Sequence, residues 1–156
     1  MFRKMRRIEK QTSNEECEKS LKDSAYGVLA MIGDDGYPYA VPLNFAYENG
    51  KIYFHSTSRT SHKIDAIKQN DKVSFCTVSQ ADIVPEKFDT MYDSVIVFGK
   101  AKVLEDPDEV KNAMNALILK YSSEYTEQGI LHMKKEEGLY SAIEIKIEHM
   151  TRKIGR

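Results

Sequence analysis

The sequence predicts a mainly β fold, namely a small antiparallel β-barrel with peripheral helices. Two turn sequences, Asp35-Gly36 and Asn49-Gly50, separate apolar segments of strand length, and both supply the positive φ that tight hairpin turns require. Three further segments with alternating apolar residues follow, and helical periodicity is confined to stretches between or before the strands. Six strands with few helices are typical of a small antiparallel barrel.

Six segments in which apolar residues alternate, each bounded by turn residues, are predicted to be strands. The predicted strands cover residues 26–32, 37–47, 51–57, 72–80, 94–105 and 139–149. In the second, Pro38 and Pro42 remove two backbone donors, so this strand must lie at an edge or be bent. In the fifth, Lys100 and Lys102 alternate with apolar residues, so one face of its second half contacts water.

Four segments have helical character, and we expect them to plug or cover the openings of the barrel. Residues 14–24 follow the available N-caps Ser13 and Asn14. Residues 59–69 have an apolar side, with Ser58, Thr60 or Ser61 available as the cap. Residues 107–121 begin with a proline and repeat apolar residues at helical spacing, while residues 124–137 are less regular.

Composition indicates one domain over residues 1–156, because 156 residues with 41% apolar content suffice for one core. With 23 basic and 24 acidic residues, the chain has no general attraction for nucleic acid or an anionic membrane. Residues 1–12 are a basic arm, expected to be mostly solvated. No apolar run is long enough for a signal peptide or a membrane span, so we expect a cytoplasmic protein without a membrane partner.

Cysteines and histidines show no metal-binding pattern. Cys17 and Cys76 are far apart and have no CxxC spacing, which favours two reduced thiols. The four histidines, His55, His62, His132 and His149, match no recognised ligand spacing. We therefore expect no metal.

A strongly polar run, "FHSTSRTSHK", lies where the third strand gives way to the second helix. The start of a helix presents unpaired backbone N–H groups, and hydroxyls with Arg59 and Lys63 add the donors that a phosphate monoester needs. The alternative is that one serine caps the helix and the other side chains are hydrated. The run contains no glycine-rich phosphate loop, and its residues alone leave both interpretations open.

Four segments in fixed order carry a resemblance to a known family. They are "YGVLAMIGDDGYPYAVPLNFAYENGKIYFHS", "HKIDAIKQNDKVSFCTV", "YDSVIVFGKAKVLED" and "IEIKIEHMTRK". In this order the chain resembles the pyridoxamine 5'-phosphate oxidase-like flavoproteins, most of all their nitroimidazole-resistance (Nim) branch. The resemblance implies a six-stranded antiparallel FMN-binding split barrel that holds FMN at a homodimer interface.

The resemblance also implies where FMN lies. The phosphate would be held by the polar run and the helix start, with His55, Ser56 and Lys63 as its main contacts. The isoalloxazine ring would lie along Tyr39 to Asn44, approached by residues of the fifth strand region. The candidate cofactor-binding residues are Tyr39, Val41, Pro42, Leu43, Asn44, His55, Ser56, Thr57, Arg59, Ser61, His62, Lys63, Tyr92 and Ser94.

Function is expected to be that of an FMN-dependent oxidoreductase, which passes electrons from a nicotinamide cofactor to a small acceptor such as a nitroaromatic compound. The cofactor carries the chemistry, which fits the lack of a Ser/His/Asp constellation. His55 is the candidate catalytic residue; an ordinary histidine pKa near 6.5 predicts that anion affinity falls as pH rises through about 6–8. The alternative is a non-catalytic module that binds FMN, or haem through His55 or His62.

An apolar stripe of Tyr39, Val41, Leu43 and Phe45 lies on one face of the second predicted strand. If that face pointed outward, it would need a cover, either the partner of a homodimer or the helix over residues 107–121.

Overall fold

A computed structural model, which describes residues 1–155, confirms the mainly β fold class. The strands are β1 (Gly27–Ile32), β2 (Pro38–Leu43), β3 (Ala46–Glu48), β4 (Lys51–Ser56), β5 (Lys72–Val84), β6 (Asp89–Val103) and β7 (Ser141–Gly155). The α-helices are α1 (Asn14–Asp23), α2 (His62–Gln69), α3 (Pro107–Tyr121) and α4 (Thr126–Lys135).

All the strands belong to one antiparallel sheet of order β2-β1-β5-β6-β7-β4-β3. Its two edges, β2 and β3, follow each other in the chain with only Asn44 and Phe45 between them, so the sheet curls until its edges meet at a bend. The segment 37–47, predicted as one strand, is therefore two. The expectation from Pro38 and Pro42 is confirmed in both respects, because β2 is an edge strand and the chain bends after it.

Turn chemistry fixes the hairpins as expected. Asp35 and Gly36 have φ of 55° and 76°, and Asn49 and Gly50 have φ of 49° and 77°. The predicted strands 72–80 and 94–105 are longer in the structure, because β5 and β6 continue as a two-stranded ribbon up to residues 84 and 89. Register shifts between residues 78 and 80 and between residues 98 and 99 bend the central strands.

The main core fills the barrel, and α1 and α2 contribute to it. Leu21 of α1 and Ile64 of α2 are fully buried among the inward side chains of the strands. The apolar stripe points into this same core: Phe45 is buried and meets Phe75 edge-on at 4.8 Å, and the other stripe residues are half-buried against the cluster. The stripe thus packs mainly into its own barrel interior, and Lys120 of α3 contacts it at Phe45.

A smaller apolar cluster lies outside the barrel, where α3 packs across β3, β4 and β7. Tyr53 of β4 and Leu117 of α3 are buried in it. The prediction of α3 is confirmed at both ends, with Asp106 as N-cap and Pro107 in the first turn. Helix α1 begins with a capping box between Ser13 and Glu16, which satisfies two backbone donors.

The basic arm, residues 1–12, is largely exposed but contacts the sheet in several places. Gln11 bridges to Lys153 of β7, and the Phe2 ring stacks on His149 at 4.8 Å and on Phe98 at 5.5 Å. Among the described residues, no helix has the length and apolar character needed to cross a bilayer.

Candidate functional site

The polar run joins the end of β4 to the start of α2, as the sequence predicted. Ser56 is the buried last residue of β4, and residues 57–61 form an irregular loop before α2 begins at His62. Ser61 is the N-cap, since its hydroxyl oxygen accepts from the backbone N–H of Ile64 at 3.4 Å. Ser58 accepts from the N–H of Thr60 at 3.1 Å. Helix capping therefore occupies only part of the run.

The remaining donors of the run have no partner that explains them. Arg59 and Lys63 form no ion pair within residues 1–155, and the first-turn amides of His62 and Lys63 have no carbonyl partner there. Thr57 adds an exposed hydroxyl at the start of the loop. Amides, hydroxyls and two cations at a helix start form a donor set that suits a phosphate dianion.

His55 lies on the outer face of β4, on the same side as Tyr53 and away from the barrel core. Its ring lines a cavity of about 130 Å³ together with His132, Met133 and Tyr140, so it contacts the helix-covered side of the barrel. Desolvation in this setting, and then the positive charge of Lys63, lower the pKa of His55. The ring is consequently more neutral at pH 7 than the sequence predicted.

The pH range over which His55 loses its proton therefore lies lower than that of an ordinary histidine. In the free protein its NMR titration midpoint should lie below about 6.5, the ordinary value. If the ring faces a bound anion, added FMN should raise that midpoint, because a negative charge stabilises the imidazolium. A midpoint that FMN leaves unchanged would make His55 a structural residue.

His62 turns away from the loop and contacts the β1–β2 turn. Its ring stacks on Tyr39 at 4.1 Å with an interplanar angle of 17°, and its Nε2 accepts from the N–H of Asp34 at 3.4 Å. The structure thus brings the first turn of α2 beside the strand that carries the predicted ring contacts. This links the two halves of the predicted site, although His62 and His55 point to different sides.

The predicted ring-binding residues of β2 divide between its two faces. Tyr39, Val41 and Leu43 point inward and are half-buried, while Pro42 is exposed on the outer face. Asn44 lies in the bend after β2, and its Nδ2 donates to the carbonyl oxygen of Ala25 at 3.2 Å. A planar ring placed along β2 would therefore meet its outer backbone and Pro42 rather than the inward side chains.

Tyr92 and Ser94 lie on the outer face of β6. The Tyr92 ring is flanked by the ammonium groups of Lys10 at 5.5 Å and Lys153 at 5.2 Å from its centroid. Hydrogen bonding to Lys153, with the nearby charges, lowers the pKa of the Tyr92 hydroxyl. Ser94 pairs with Val78 on one side and Lys153 on the other. Both residues border the surface described next.

The outer side of β2, β1, β5 and β6 carries an apolar surface that no helix of the described chain covers. We call this surface the open face; it comprises Val28, Ala30, Ala40, Pro42, Cys76, Val78, Ile96 and Phe98, which the strand register places on one side. Val78, Ile96 and Phe98 are 53%, 43% and 41% exposed. This surface was not predicted from the sequence, although "VIVF", apolar on both faces of β6, was a signal for it.

A cleft lies on the opposite side, between α3, α4 and the start of β7. It has a volume of about 640 Å³, with Met133 and Tyr140 in its wall. Arg59 is the one predicted cofactor-binding residue that lines it. The strands predicted to hold a flavin ring thus face the open outer surface and not this cleft.

Comparisons with known proteins agree with this architecture. A candidate 5-nitroimidazole antibiotic resistance protein from Bacteroides thetaiotaomicron superposes with a TM-score of 0.76 at 21% identity, covering 91% of this chain and 84% of that one. A FAD-binding protein from Mesorhizobium loti gives 0.68 at 23% identity, covering 94% and 97%. A FAD- and haem-binding protein from Mycobacterium smegmatis gives 0.80 at 19% identity, covering 94% and 74%. At these identities the likeness establishes the split-barrel fold.

No curated protein matches the sequence. The family model described as pyridoxamine 5'-phosphate oxidase matches residues 13–154, which leaves out only the basic arm and the last two residues. The ordered segments that carried the resemblance all lie inside this range. The chain is a member of the pyridoxamine 5'-phosphate oxidase family.

Proposed function

We propose that the protein is a cytoplasmic FMN-dependent oxidoreductase that acts as a homodimer. The observation that carries the proposal is the stacking of His62, which follows the donor-rich loop, on Tyr39 of β2, an edge strand whose outer side belongs to the open face. The loop supplies donors for a phosphate, and the face supplies a flat surface for a ring system. A flavin mononucleotide has both parts.

The phosphate fits the loop because its charge meets donors that the fold leaves free. Lys63 and the first-turn amides of α2 would hold the oxygens, with Thr57 and the hydroxyl hydrogen of Ser61 as further donors. Ser61 uses its oxygen as an acceptor in capping α2, so its hydrogen remains available. Arg59 is exposed and adds a second positive charge.

The ring fits the outer side of β2, whose outer edge forms no backbone ladder with another strand. The backbone groups of that edge would hydrogen-bond the polar edge of the ring, while Pro42 and Ala40 contact its plane. A second copy covering the open face would exclude water from the ring and bury the exposed apolar side chains.

A bound flavin would supply the redox chemistry, namely acceptance of a hydride from a reduced nicotinamide cofactor and delivery of electrons to a small acceptor. The chain's own contribution is to hold the phosphate, orient the ring and keep water from it. A nitroaromatic acceptor is favoured by the likeness to the candidate nitroimidazole resistance protein.

Turnover assays test the proposal. Purified protein loaded with FMN should oxidise NADH or NADPH and reduce members of a nitroaromatic panel, and the FMN-free protein should do neither. Binding of FMN without any turnover would instead favour a non-catalytic flavin-binding module.

The homodimer gives a separate prediction. Light scattering at micromolar concentration should show a dimer, and Ile96→Asp should give a folded monomer with weaker FMN binding, because a charge is placed in the open face. Leu119→Asp is the matched control: Leu119 is 62% exposed on α3, away from that face, and its replacement should leave the dimer intact. A wild-type protein that is monomeric under these conditions would refute the proposed assembly.

A further inference from the structure

The bend between β2 and β3 depends on a residue distant in sequence. Phe45 is fully buried at this bend, and its backbone N–H donates to the hydroxyl oxygen of Tyr121 at 3.0 Å. The same hydroxyl group donates to the carbonyl oxygen of Ala25 at 2.7 Å and to that of Phe45 at 2.8 Å, and these two acceptors share its one hydrogen. One hydroxyl thus ties the bend to the chain between α1 and β1.

A second tie comes from the neighbouring residue on α3. The ammonium of Lys120 donates to the carbonyl oxygen of Ser24 at 2.6 Å and lies 3.8 Å from the centroid of the Phe45 ring. Asn44 completes the arrangement by donating to the carbonyl oxygen of Ala25. The ends of α1 and α3 therefore meet at the bend.

The position of the bend affects β2 strongly, because β2 has only one neighbouring strand. It pairs with β1 along its length, while its other edge is unpaired. The end of β2 at Leu43 is therefore held by the β1 ladder and by the anchored bend that follows it. A shift of the bend would move the strand that carries the proposed ring contacts.

We propose that Tyr121 is a positioning residue for flavin binding, fixing the end of β2 through its hydroxyl without touching the cofactor. This inference rests on the proposed function, since it assigns a role in the same site. It requires that losing the hydroxyl weakens contacts to the flavin ring and leaves contacts to the phosphate unchanged.

Tyr121→Phe tests this, because it keeps the ring and removes only the hydroxyl. The affinities of FMN and riboflavin should both fall about tenfold, which corresponds to about 1.4 kcal/mol, since the two flavins share the ring. Flavin fluorescence titrations measure both constants at pH 7, where Lys120, with its pKa lowered by burial to about 8, is still mostly protonated.

Two variants separate positioning from general loss of stability. Tyr125→Phe makes the same chemical change at an exposed residue whose hydroxyl has no partner in the described chain, and it should bind both flavins as the wild type does. Tyr47→Phe removes a hydroxyl that accepts from the N–H of Gly50 at 3.1 Å, in the β3–β4 turn. It should lower the melting temperature without changing flavin affinity.

The outcomes are distinct. Equal flavin affinities in wild type and Tyr121→Phe would overturn the inference and leave the proposed function standing, as would a loss no larger than that of Tyr47→Phe. Wild-type protein that binds neither flavin would overturn the proposed function, and with it a positioning role for Tyr121 in flavin binding.

Discussion

Replacing Lys63 by alanine should weaken FMN binding by about tenfold or more and leave riboflavin binding nearly unchanged. Lys63 lies in the first turn of α2 and forms no ion pair within residues 1–155, so its charge is free for a ligand. A charged hydrogen bond contributes about 1.5–3 kcal/mol, and FMN carries the phosphate dianion that riboflavin lacks. Fluorescence titration with both flavins measures the difference.

Lys68→Ala is the matched control for this experiment. It removes the same charge from the same helix, but Lys68 is exposed near the other end of α2 and lines the cleft opposite the flavin strands. Its affinity for FMN should stay close to that of the wild type. Equal losses of FMN and riboflavin in Lys63→Ala would instead show that Lys63 supports the structure of the loop.

Arg152→Met should destabilise the protein by about 3 kcal/mol, the low end of the cost of breaking a buried ion pair. The Arg152 guanidinium donates to both carboxylate oxygens of Asp93, at 2.8 and 2.7 Å, and both side chains are nearly buried, at 12% and 13% exposure. Methionine keeps the apolar stem but leaves the Asp93 carboxylate with only serine hydroxyls, those of Ser20 and Ser79, as side-chain donors within residues 1–155. Urea unfolding followed by circular dichroism measures the loss.

Lys102→Met provides the comparison, because Lys102 is 56% exposed and approaches its carboxylates only at 3.8 and 3.9 Å. It should cost less than about 1 kcal/mol. If Arg152→Met lowered the free energy of unfolding by no more than Lys102→Met does, the ion pair of Asp93 and Arg152 would contribute little to stability.

Acid should weaken the same pair. Burial of Asp93 opposes its ionised form, but hydrogen bonds from Arg152 and Ser79 outweigh it and hold the pKa below the ordinary value. Because the folded pKa is the lower one, this stabilisation is complete above the ordinary aspartate pKa and is lost as pH falls toward the folded one. Arg152→Met should lose less stability than the wild type over that acid range.

Elements with local sequence signals were predicted well. The Asn49-Gly50 turn, the capped start at Ser13 and the helix beginning at Pro107 each depend on residues within one turn of one another. Such local signals favour a turn or a helix end independently of distant residues, so they can be interpreted without knowing the tertiary structure. The start of α2 shows the limit, because three hydroxyl residues were available as caps and only Ser61 takes that role.

Features that depend on distant residues were not predictable in the same way. The break after Leu43 is stabilised by Tyr121, 76 positions from Phe45, and the pair of Asp93 and Arg152 is 59 positions apart. The inward direction of the apolar stripe also follows from closure of the barrel, which alternation alone does not reveal. The sequence pattern located the stripe but not the side of the sheet on which it lies.

The candidate site shows the same division. The polar run lies at a strand-to-helix step as predicted, and His62 brings it beside β2. The lowered pKa of His55 depends on its surroundings, which the sequence does not display. Whether the fourteen candidate residues bind FMN is a prediction that the experiments above address.

The absorption spectrum of the purified protein tests the central claim most directly. We predict a yellow protein with the spectrum of an oxidised flavin, from which heat or acid releases FMN, or a protein that acquires that spectrum when incubated with FMN. A colourless protein that gains no flavin absorbance with FMN would contradict the account, and a Soret band in place of the flavin spectrum would identify a haem-binding module instead.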